Sequence, residues 1–543
     1  MAVPAGPPMD LGALIGRRAA ATPRLPAITF DGHTTSYGDL LDQIDTLAAE
    51  LAAGGVGRGD RVAYLGLNDP MFLITLFAAA RIGAVFVPLN YRLTAAELGY
   101  ILTDAGVHTL LADAEHVAAA DPVLAEAGVR RALALSAATG WEPLPELVAN
   151  RGRLAAPVHA GPDEVAVIMY TSGTTGRPKG AMLTHGNLFW NNVNALLAFD
   201  ISHDDVSLVT APMFHIGGLN VTTLLTLHKG GQIVLMPAFD PGQALKLIAD
   251  YRVTTMFGVP AMFLFMSQVP EFEAADLSSL RYLICGGAPV PETLITRYGQ
   301  RGIAFVQGYG LTETSPLALV LRTEEVSVKV GAAGHAVLPL SDVRLVDAQN
   351  NAVAPGERGE ICVRGPQVMA GYWNNREATN EVIDADGWFH TGDIGQADED
   401  GYVYVVDRLK DMVITGGENV YPAEVETVLY SHPAIAEVAV LGTPHQQWGE
   451  AVTAVVALNS GAALTLDELR EFARDKLAGY KIPLRLEFVD ALPRNPAGKV
   501  LKYQLAAQLT ASPQGQAHLN AANRGWGRPD PGRAACGDRR WLF

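Results

Sequence analysis

Apolar residues along this chain follow two repeating patterns, one typical of buried strands and one typical of amphipathic helices. Between about residues 60 and 113, short strand-like segments alternate with helical ones, namely RVAYLGL, MFLITLFAAARIGA, VFVPLN, TAAELGYILTDAG and VHTLLAD. The alternation returns in GQIVLMP, DPGQALKLIADYR, VTTMFGVP, PETLITRYGQRG and IAFVQGYG. Such alternation is typical of parallel sheets flanked by helices. The sequence therefore predicts an α/β fold with a second parallel sheet, or with one large continuation of the first.

The pattern changes after about Ser341, where short strands and turns follow one another in VRLVDAQNNAVAPGERGEICVRG and GYVYVVD. These segments predict a mainly β subdomain. From about Lys410, the helical segments AEVETVLYSHP and TLDELREFARDKLAGY are interleaved with strand-like AEVAVLGTP, EAVTAVVALN and RLEFVDA. This predicts a small α+β domain. We expect a large N-terminal domain over 1–407, a hinge at 408–411, a small C-terminal domain over 412–509 and a disordered tail over 510–543.

The most hydrophobic stretch, Met71 to Leu89, has the composition of a membrane span but not its continuity. Arg81, Gly83 and Pro88 interrupt it, so a buried helix followed by a core strand is the expected structure. The N-terminus lacks the basic and apolar regions of a secretory signal. Three widely separated cysteines suggest neither a disulfide framework nor a zinc site. The cytoplasm is therefore the expected compartment.

The charge balance of the chain is acidic. Its 543 residues include 40 basic and 57 acidic side chains, a net charge of −17 with neutral histidines. Such a field repels nucleic acid and anionic membrane surfaces, so neither is an expected partner. Small anions are not excluded, because local dipoles and single basic residues outweigh a diffuse field that salt screens over about 8–10 Å.

A loop rich in glycine and hydroxyl residues, YTSGTTGRPKG, directly follows the strand-like EVAVIMY. Glycines let backbone N–H groups approach phosphate oxygens closely, while hydroxyls and a lysine add donors and positive charge. The loop departs from the G-x-x-x-x-G-K-[ST] pattern of ordinary nucleoside triphosphatases. A polyphosphate cradle is the functional interpretation, and a flexible polar linker is the structural alternative. The candidate phosphate-binding residues are Thr171, Ser172, Gly173, Thr174, Thr175, Gly176 and Lys179.

Six further motifs follow this loop along the chain. They are APMFH (211–215), GGAP (286–289), QGYGLTET (307–314), HTGD (390–393), DRLKD (407–411) and PRNPAGK (493–499). Together with the loop, they resemble the adenylate-forming superfamily, which includes acyl-CoA synthetases, stand-alone adenylation domains and beetle luciferases. The resemblance implies a ligase that uses ATP and Mg²⁺ to convert a carboxylic acid to an acyl-adenylate, and then passes the acyl group to a thiol, with coenzyme A as the favoured acceptor.

The resemblance also implies roles for single residues. Lys499 would stabilise the charge that develops during attack on the α-phosphate, Glu313 would bind Mg²⁺, and Thr312 would contact phosphate. His215 would lie beside the acyl carboxylate or thioester, although a packed histidine is the commoner fate of such a residue. The residues implied to hold the adenine and ribose are Gly286, Gly287, Ala288, Gln307, Gly308, Tyr309, Asp393 and Arg408.

The two half-reactions need different groups at one site, so the resemblance implies that the small domain rotates between them. The hinge would be Lys410, where many relatives have Asp. After rotation, Gly416 and Gly417 would let the pantetheine arm of coenzyme A pass close to the backbone. Asn495 stands where relatives often have Thr.

The acid and the acceptor are less well defined. The segments HIGGLNVTTLL, MFGVPAMF and GLTETSPLAL would line the acyl pocket with small or aliphatic residues and with Phe257 and Phe263. This favours a medium- or long-chain fatty acid, with an aromatic carboxylate as the alternative. A carrier protein is the alternative acceptor, and a non-catalytic nucleotide-binding protein is the alternative from another functional class. The sequence does not decide between a monomer and a homodimer.

Overall fold

The computed structural model describes residues 8–149, 151–171, 178–287, 290–336, 341–408, 411–415, 418–445, 448–474, 476–494 and 500–511. The chain divides into two compact units. The first comprises the chain up to Thr391 together with Gly395–Val405, and the second comprises Gly392–Ile394 and the chain from Val406 onward. The predicted α/β class, with a large N-terminal and a small C-terminal domain, is confirmed.

The helices alternate with strands along most of the chain. In chain order, they are α1 (Leu11–Ala21), α2 (Tyr37–Ala53), α3 (Pro70–Arg81), α4 (Ala95–Ala105), α5 (Val117–Ala120), α6 (Leu144–Ala149), α7 (His185–Ala198), α8 (Ile216–Asn220), α9 (Thr223–Lys229), α10 (Pro241–Asp250), α11 (Pro260–Gln268), α12 (Glu292–Gly299), α13 (Thr323–Val326), α14 (Arg376–Val382), α15 (Pro422–Tyr430), α16 (Leu466–Arg474) and α17 (Lys502–Ala511).

The strands form four sheets. In chain order, they are β1 (Pro26–Phe30), β2 (His33–Ser36), β3 (Arg61–Leu65), β4 (Val85–Leu89), β5 (Val107–Ala112), β6 (Arg131–Ala134), β7 (Glu142–Pro143), β8 (Val165–Thr171), β9 (Lys179–Thr184), β10 (Val206–Val209), β11 (Gln232–Leu235), β12 (Thr255–Gly258), β13 (Tyr282–Gly286), β14 (Ala304–Gly310), β15 (Leu317–Leu321), β16 (His335–Ala336), β17 (Asp342–Val346), β18 (Arg358–Arg364), β19 (Phe389–Ala397), β20 (Val403–Arg408), β21 (Val413–Thr415), β22 (Glu418–Val420), β23 (Ile435–His445), β24 (Gly449–Leu458) and β25 (Arg485–Phe488).

The two large sheets are separate rather than continuous. One has the order β7-β6-β5-β3-β4-β8-β9, and the other has the order β16-β15-β14-β13-β12-β10-β11-β1-β2. Their central strands are parallel, as predicted, while β9, β2, β15 and β16 pair antiparallel at the edges. The sequence did not predict these antiparallel edges. A four-stranded sheet, β17-β18-β19-β20, confirms the β subdomain expected after Ser341.

The hydrophobic stretch Met71 to Leu89 forms a buried helix and a core strand, as predicted. Helix α3 starts at Pro70, where the Asp69 side chain accepts a hydrogen bond from the Met71 N–H. Arg81, at the other end of α3, is buried and forms a bidentate ion pair with Asp45 of α2. Among the residues that the structure describes, no helix is both long and apolar enough to cross a membrane.

The second unit contains the small α+β fold that the sequence predicts. Strands β22, β21, β24 and β23 form its sheet in that order, and β25 pairs with β24. Apolar side chains of α15 and α16 share one core with this sheet. Helix α17 ends at Ala511, and the remainder of the predicted tail lies outside the described residues.

Candidate active site

The two ends of the predicted phosphate loop meet at the end of a hairpin. Strands β8 and β9 pair antiparallel with Thr171 opposite Lys179, and the Thr171 hydroxyl donates to the Lys179 carbonyl oxygen at 3.4 Å. Such pairing holds both ends of the connecting loop in place. Ser172, Gly173, Thr174, Thr175 and Gly176 lie outside the described residues, so their predicted contacts stay predictions.

A segment that the sequence analysis did not single out runs beside β9. The Met182 N–H donates to the Gly371 carbonyl at 2.9 Å, and the Trp373 N–H donates to the Gly180 carbonyl at 2.7 Å. This places the Tyr372 ring 5.2 Å from the Lys179 ammonium, within the range of a cation–π contact. The segment therefore fixes an aromatic ring against the lysine of the phosphate loop.

Tyr372 also contacts the predicted metal ligand. Its hydroxyl donates to Glu313 Oε1 at 2.8 Å, and both side chains are buried. The backbone carbonyl of Glu313 accepts from the Met369 N–H at 2.8 Å. Lys179 and Glu313, which belong to different motifs, are thus joined through one tyrosine. Sequence reasoning missed Tyr372 because an aromatic residue after a glycine carries no charge or spacing that indicates a ligand site.

The turn that carries Glu313 is held by buried side chains of neighbouring helices. Thr312 and Glu313 lie in one 3₁₀ turn, and a Cβ at Gly310 would lie 1.6 Å from the Pro316 carbonyl oxygen. Only glycine fits that position. The Asn191 side chain of α7 accepts from the Leu317 N–H at 3.0 Å, and Asn220 of α8 donates to the Ser315 carbonyl.

A second tyrosine, Tyr170 in β8, is held in place just before the phosphate loop. Asp104, at the end of α4, accepts from the Tyr170 hydroxyl at 2.5 Å through its carboxylate. Its backbone carbonyl accepts from the Trp373 indole and from the Asn374 amide, both at 3.0 Å. Asp104 therefore ties the end of β8 to the segment that carries Tyr372.

The predicted adenine slot is narrow between Gly286 and Gly308. Gly286 pairs with Gly308, and a Cβ at Gly286 would lie 2.9 Å from the Gly308 carbonyl oxygen. Gln307 is buried, and its side-chain oxygen accepts from the Val290 N–H at 3.3 Å, while its Nε2 has no hydrogen-bond partner among the described residues. A buried donor of this kind needs an acceptor. Ala288 lies outside the described residues, whereas Gly287 (φ +82°) and the partly buried Tyr309 border the slot in sequence.

His215 precedes α8, and its ring Nε2 is shielded and has no partner among the described residues. Burial, with a smaller effect of the Arg92 charge, lowers the pKa of His215 to about 4. The imidazole is therefore neutral at neutral pH and acts by hydrogen bonding rather than by charge. Two residues on, a Cβ at Gly217 would lie 2.9 Å from the Phe257 ring, which also approaches Gly286. Three features thus lie near the carboxyl ends of the central strands: the His215 imidazole, the Phe257 ring and the slot between Gly286 and Gly308.

Two protein-family models match this arrangement in order along the chain. The "AMP-binding enzyme" model matches residues 15–373, and the "AMP-binding enzyme C-terminal domain" model matches residues 424–499. The chain belongs to the AMP-binding enzyme family. It is an AMP-forming acid–CoA ligase of the adenylate-forming superfamily, as the motifs imply.

Similar proteins cover nearly the whole of this AMP-binding enzyme. A feruloyl-CoA synthase of Amycolatopsis sp. is 49% identical over 492 residues, which is 91% of this chain and 97% of the relative. An indoleacetate–CoA ligase of Aromatoleum aromaticum is 42% identical, covering 92% and 99%. The long-chain-fatty-acid–CoA ligase FadD13 of Mycobacterium tuberculosis is 38% identical, covering 93% and 99%. The solved structure of ATP-bound MatB from Rhodopseudomonas palustris has a TM-score of 0.86 at 34% identity, covering 93% and 99%.

In this AMP-binding enzyme, the two predicted ribose ligands lie on neighbouring strands of the four-stranded sheet. Asp393 is buried in β19, and Arg408 is the last residue of β20, although its side chain lies outside the described ones. His390, which opens the HTGD motif, has its Nδ1 2.9 Å from Glu360 Oε2 and 3.4 Å from Cys362 Sγ. These contacts fix the imidazole at the start of the motif.

The turn of Lys499 is closed at its base in the second unit. Arg494 and Val500 form an antiparallel bridge, and the Leu501 N–H donates to the Pro493 carbonyl at 2.8 Å. Glu437 of β23 holds this base, because its carboxylate accepts from the Leu492 N–H at 2.9 Å and from the Arg494 guanidinium at 2.7 Å. Lys499, Lys410, Gly416 and Gly417 themselves lie outside the described residues, so their roles stay predictions.

Proposed function

We propose that this enzyme activates an aromatic carboxylic acid with ATP and Mg²⁺ and transfers the aromatic acyl group to coenzyme A. The observation that carries this proposal is the 49% identity to a feruloyl-CoA synthase over 91% of the chain. The indoleacetate–CoA ligase, at 42%, supports the same class of acid. The sequence alone favours a fatty acid and leaves an aromatic acid as the alternative, since an apolar pocket accepts both. The Phe257 ring beside Gly217 and Gly286 adds an aromatic surface where an acyl ring would lie.

The metal part of the proposal rests on Glu313. A carboxylate oxygen is the ligand type that Mg²⁺ prefers, and the Tyr372 hydroxyl orients this carboxylate without cancelling its charge. The residues present therefore fit the ion, which would neutralise charge on the phosphate oxygens. The Thr312 hydroxyl and the Lys179 ammonium would contact phosphate oxygens.

We expect the variant Tyr372→Phe to lower activity by about 10- to 100-fold at low Mg²⁺, the range measured for partners that orient metal ligands. The loss should shrink as Mg²⁺ is raised, because the carboxylate remains and only its orientation is lost. The measurement is the Mg²⁺ dependence of acid-dependent pyrophosphate release, together with Mg²⁺ binding by calorimetry in the presence of ATP.

Tyr100→Phe is the matched control for this change. The Tyr100 hydroxyl donates to the Pro178 carbonyl at 3.3 Å, beside the same loop but away from Glu313. It should leave the Mg²⁺ dependence unaltered. An unchanged Mg²⁺ dependence in Tyr372→Phe would contradict the proposed role of Glu313 as the metal ligand.

The second half-reaction keeps the assignments that the family resemblance implies. Lys410 is proposed as the hinge, and Gly416 and Gly417 as the passage for the pantetheine arm. Glycines suit the second role because their backbone lets a chain pass closely. The predicted cytoplasmic location stays a prediction.

A fatty acid is the second candidate substrate, because FadD13 is 38% identical over 93% of this chain. The test is acid-dependent pyrophosphate release with ferulate, cinnamate, indoleacetate, octanoate and palmitate, each with and without coenzyme A. We expect the highest kcat/KM with an aromatic acid, and AMP and an aryl acyl-CoA as products. Turnover of fatty acids alone would contradict the aromatic assignment. Adenylate formation without transfer to coenzyme A would indicate that a carrier protein, rather than coenzyme A, accepts the acyl group.

A further inference from the structure

Three side chains that carry metal-ligand atoms lie together on the four-stranded sheet. Glu360 and Cys362 are two residues apart on β18 and therefore share one face of that strand, and His390 lies on the neighbouring strand β19. Their carboxylate, thiol and imidazole ligand atoms all lie within 4.8 Å of one another. Among the residues that the structure describes, this is the one group of its kind. Cysteine spacing cannot indicate such a site, because only one cysteine contributes to it.

The imidazole of His390 lies between the other two ligand groups. Its Nδ1 is 2.9 Å from Glu360 Oε2 and 3.4 Å from Cys362 Sγ. Around a tetrahedral Zn²⁺ ion, the ligand atoms lie about 3.3–3.8 Å apart, because the bonds are about 2.0–2.3 Å long. The nitrogen and the sulfur already have this spacing. The Glu360 oxygen would move outward by about 0.5 Å to reach it.

Both ring nitrogens of His390 face carboxylates. Asp384 Oδ2 lies 3.7 Å from Nε2, while Glu360 faces Nδ1. A neutral imidazole carries one N–H, so it can donate to only one of the two. If the proton is on Nε2 and points towards Asp384, the Nδ1 lone pair faces Glu360, and either a second proton or a metal ion must lie between them. Metal-bound histidines usually direct their other N–H at a carboxylate, a carbonyl or water in this way.

Solvent reaches two of the three ligand groups directly. The Glu360 and His390 side chains are 19% and 20% exposed, whereas Cys362 is buried. Burial and the Glu360 charge raise the pKa of the Cys362 thiol to about 12, although the Arg344 charge lowers it. An incoming ion would therefore bind the two exposed groups first. The thiol proton would then pass to solvent as the metal–sulfur bond forms.

We propose that Glu360, Cys362 and His390 form a binding site for one Zn²⁺ ion, distinct from the Mg²⁺ site proposed at Glu313. The ligand types decide the metal, because thiolate and imidazole suit Zn²⁺ whereas Mg²⁺ and Ca²⁺ take oxygen ligands. Three protein ligands leave the fourth tetrahedral position to water. The ion would join β18 to β19 and hold His390, three residues before the predicted ribose ligand Asp393. The site does not depend on which acid the enzyme activates.

The test titrates the full-length enzyme, after treatment with a chelator, with Zn²⁺ by calorimetry and with Cd²⁺ by ultraviolet absorption. A cadmium–thiolate bond has its own absorption band and therefore reports the sulfur directly. We expect one Zn²⁺ ion per chain and a cadmium–thiolate band of the same stoichiometry. Bound Zn²⁺ should also raise the unfolding midpoint, because an ion that binds only the folded chain stabilises it.

The variants should weaken binding in a graded order. Cys362→Ser should abolish the cadmium–thiolate band and weaken Zn²⁺ binding by about 100-fold or more, since removing a ligand costs more than removing a group that orients one. Asp384→Asn should weaken binding by about tenfold, the lower end of the cost of losing such an orienting partner. Glu360→Gln, at a partly exposed position, removes a second ligand without altering the buried sulfur. It should weaken Zn²⁺ binding and lower the stabilisation by Zn²⁺.

Cys285→Ser and Cys536→Ser are the matched controls, because they alter the other two cysteines of the chain. Each should keep the cadmium–thiolate band and the Zn²⁺ stoichiometry. A band that persists in Cys362→Ser, or one that is lost in Cys536→Ser, would show that another thiol binds the metal and would overturn the site. A wild-type enzyme that binds no Zn²⁺ at micromolar concentrations would overturn it as well. Neither result bears on turnover of aromatic acids, so the site and the proposed function are tested independently.

Discussion

Replacing Lys499 with alanine is expected to slow formation of the acyl-adenylate by about 10²–10³-fold, the cost of removing one group placed to stabilise transition-state charge. In-line attack on the α-phosphate develops negative charge on its oxygens, and an ammonium held at that position compensates it. The hairpin base held by Glu437 closes immediately before and after the lysine turn, so the backbone on both sides of Lys499 is well anchored.

Measuring the rates of the two half-reactions separately distinguishes this role of Lys499 from a general loss of structure. Acid-dependent pyrophosphate release should collapse in Lys499→Ala, whereas transfer from supplied acyl-adenylate to coenzyme A should stay near the wild-type rate. Lys502→Ala is the control, because this neighbouring lysine pairs with Glu426 at 2.8 Å, and both half-reactions should persist in it. Equal losses in both half-reactions of Lys499→Ala would contradict the assignment.

Replacing Asp45 with alanine is expected to lower the free energy of unfolding of the first unit by about 3–5 kcal/mol, the usual cost of leaving one member of a buried ion pair uncompensated. Asp45 contacts the Arg81 guanidinium at 2.7 and 2.9 Å, and the two side chains are only 11% and 9% exposed. Alanine at position 45 would leave the buried Arg81 charge without its partner among the helices that cover the first sheet.

Urea denaturation followed by circular dichroism measures this effect, and α2 supplies a matched control. Asp42, three residues earlier, pairs with Arg153 on the surface, where both side chains are at least 40% exposed. Asp42→Ala should therefore cost only about 0–1 kcal/mol. The double variant Asp45→Leu with Arg81→Leu should recover much of the loss, since apolar replacement of a buried pair is often neutral. A small effect of Asp45→Ala would show that Arg81 reaches water once its partner is removed.

The pattern of apolar positions was sufficient for most of the architecture. Helix α3, strand β4, the parallel strands and the small α+β unit all lie where the period of apolar residues indicates, because that period depends on neighbours along the chain. Only the structure shows that the large sheets are two and not one. Gly286 and Gly308, both implied by the motifs to hold the adenine and ribose, pair across β13 and β14, with Gly286 at the end of its strand and Gly308 within its strand. The antiparallel edges were not predicted, because strand direction depends on how each connection returns to the sheet.

The partners of buried polar groups were decided only by the tertiary structure. In the sequence, Arg81 only interrupts an apolar stretch. The packing of α2 against α3 shows that Asp45 compensates its charge. Likewise, Tyr372 meets Lys179 and Glu313 only because its segment runs beside β9. Periodicity and motifs report which residues share a face or a chemistry, since those properties are local. Which polar atom finds a partner depends on contacts between residues that are distant in the chain.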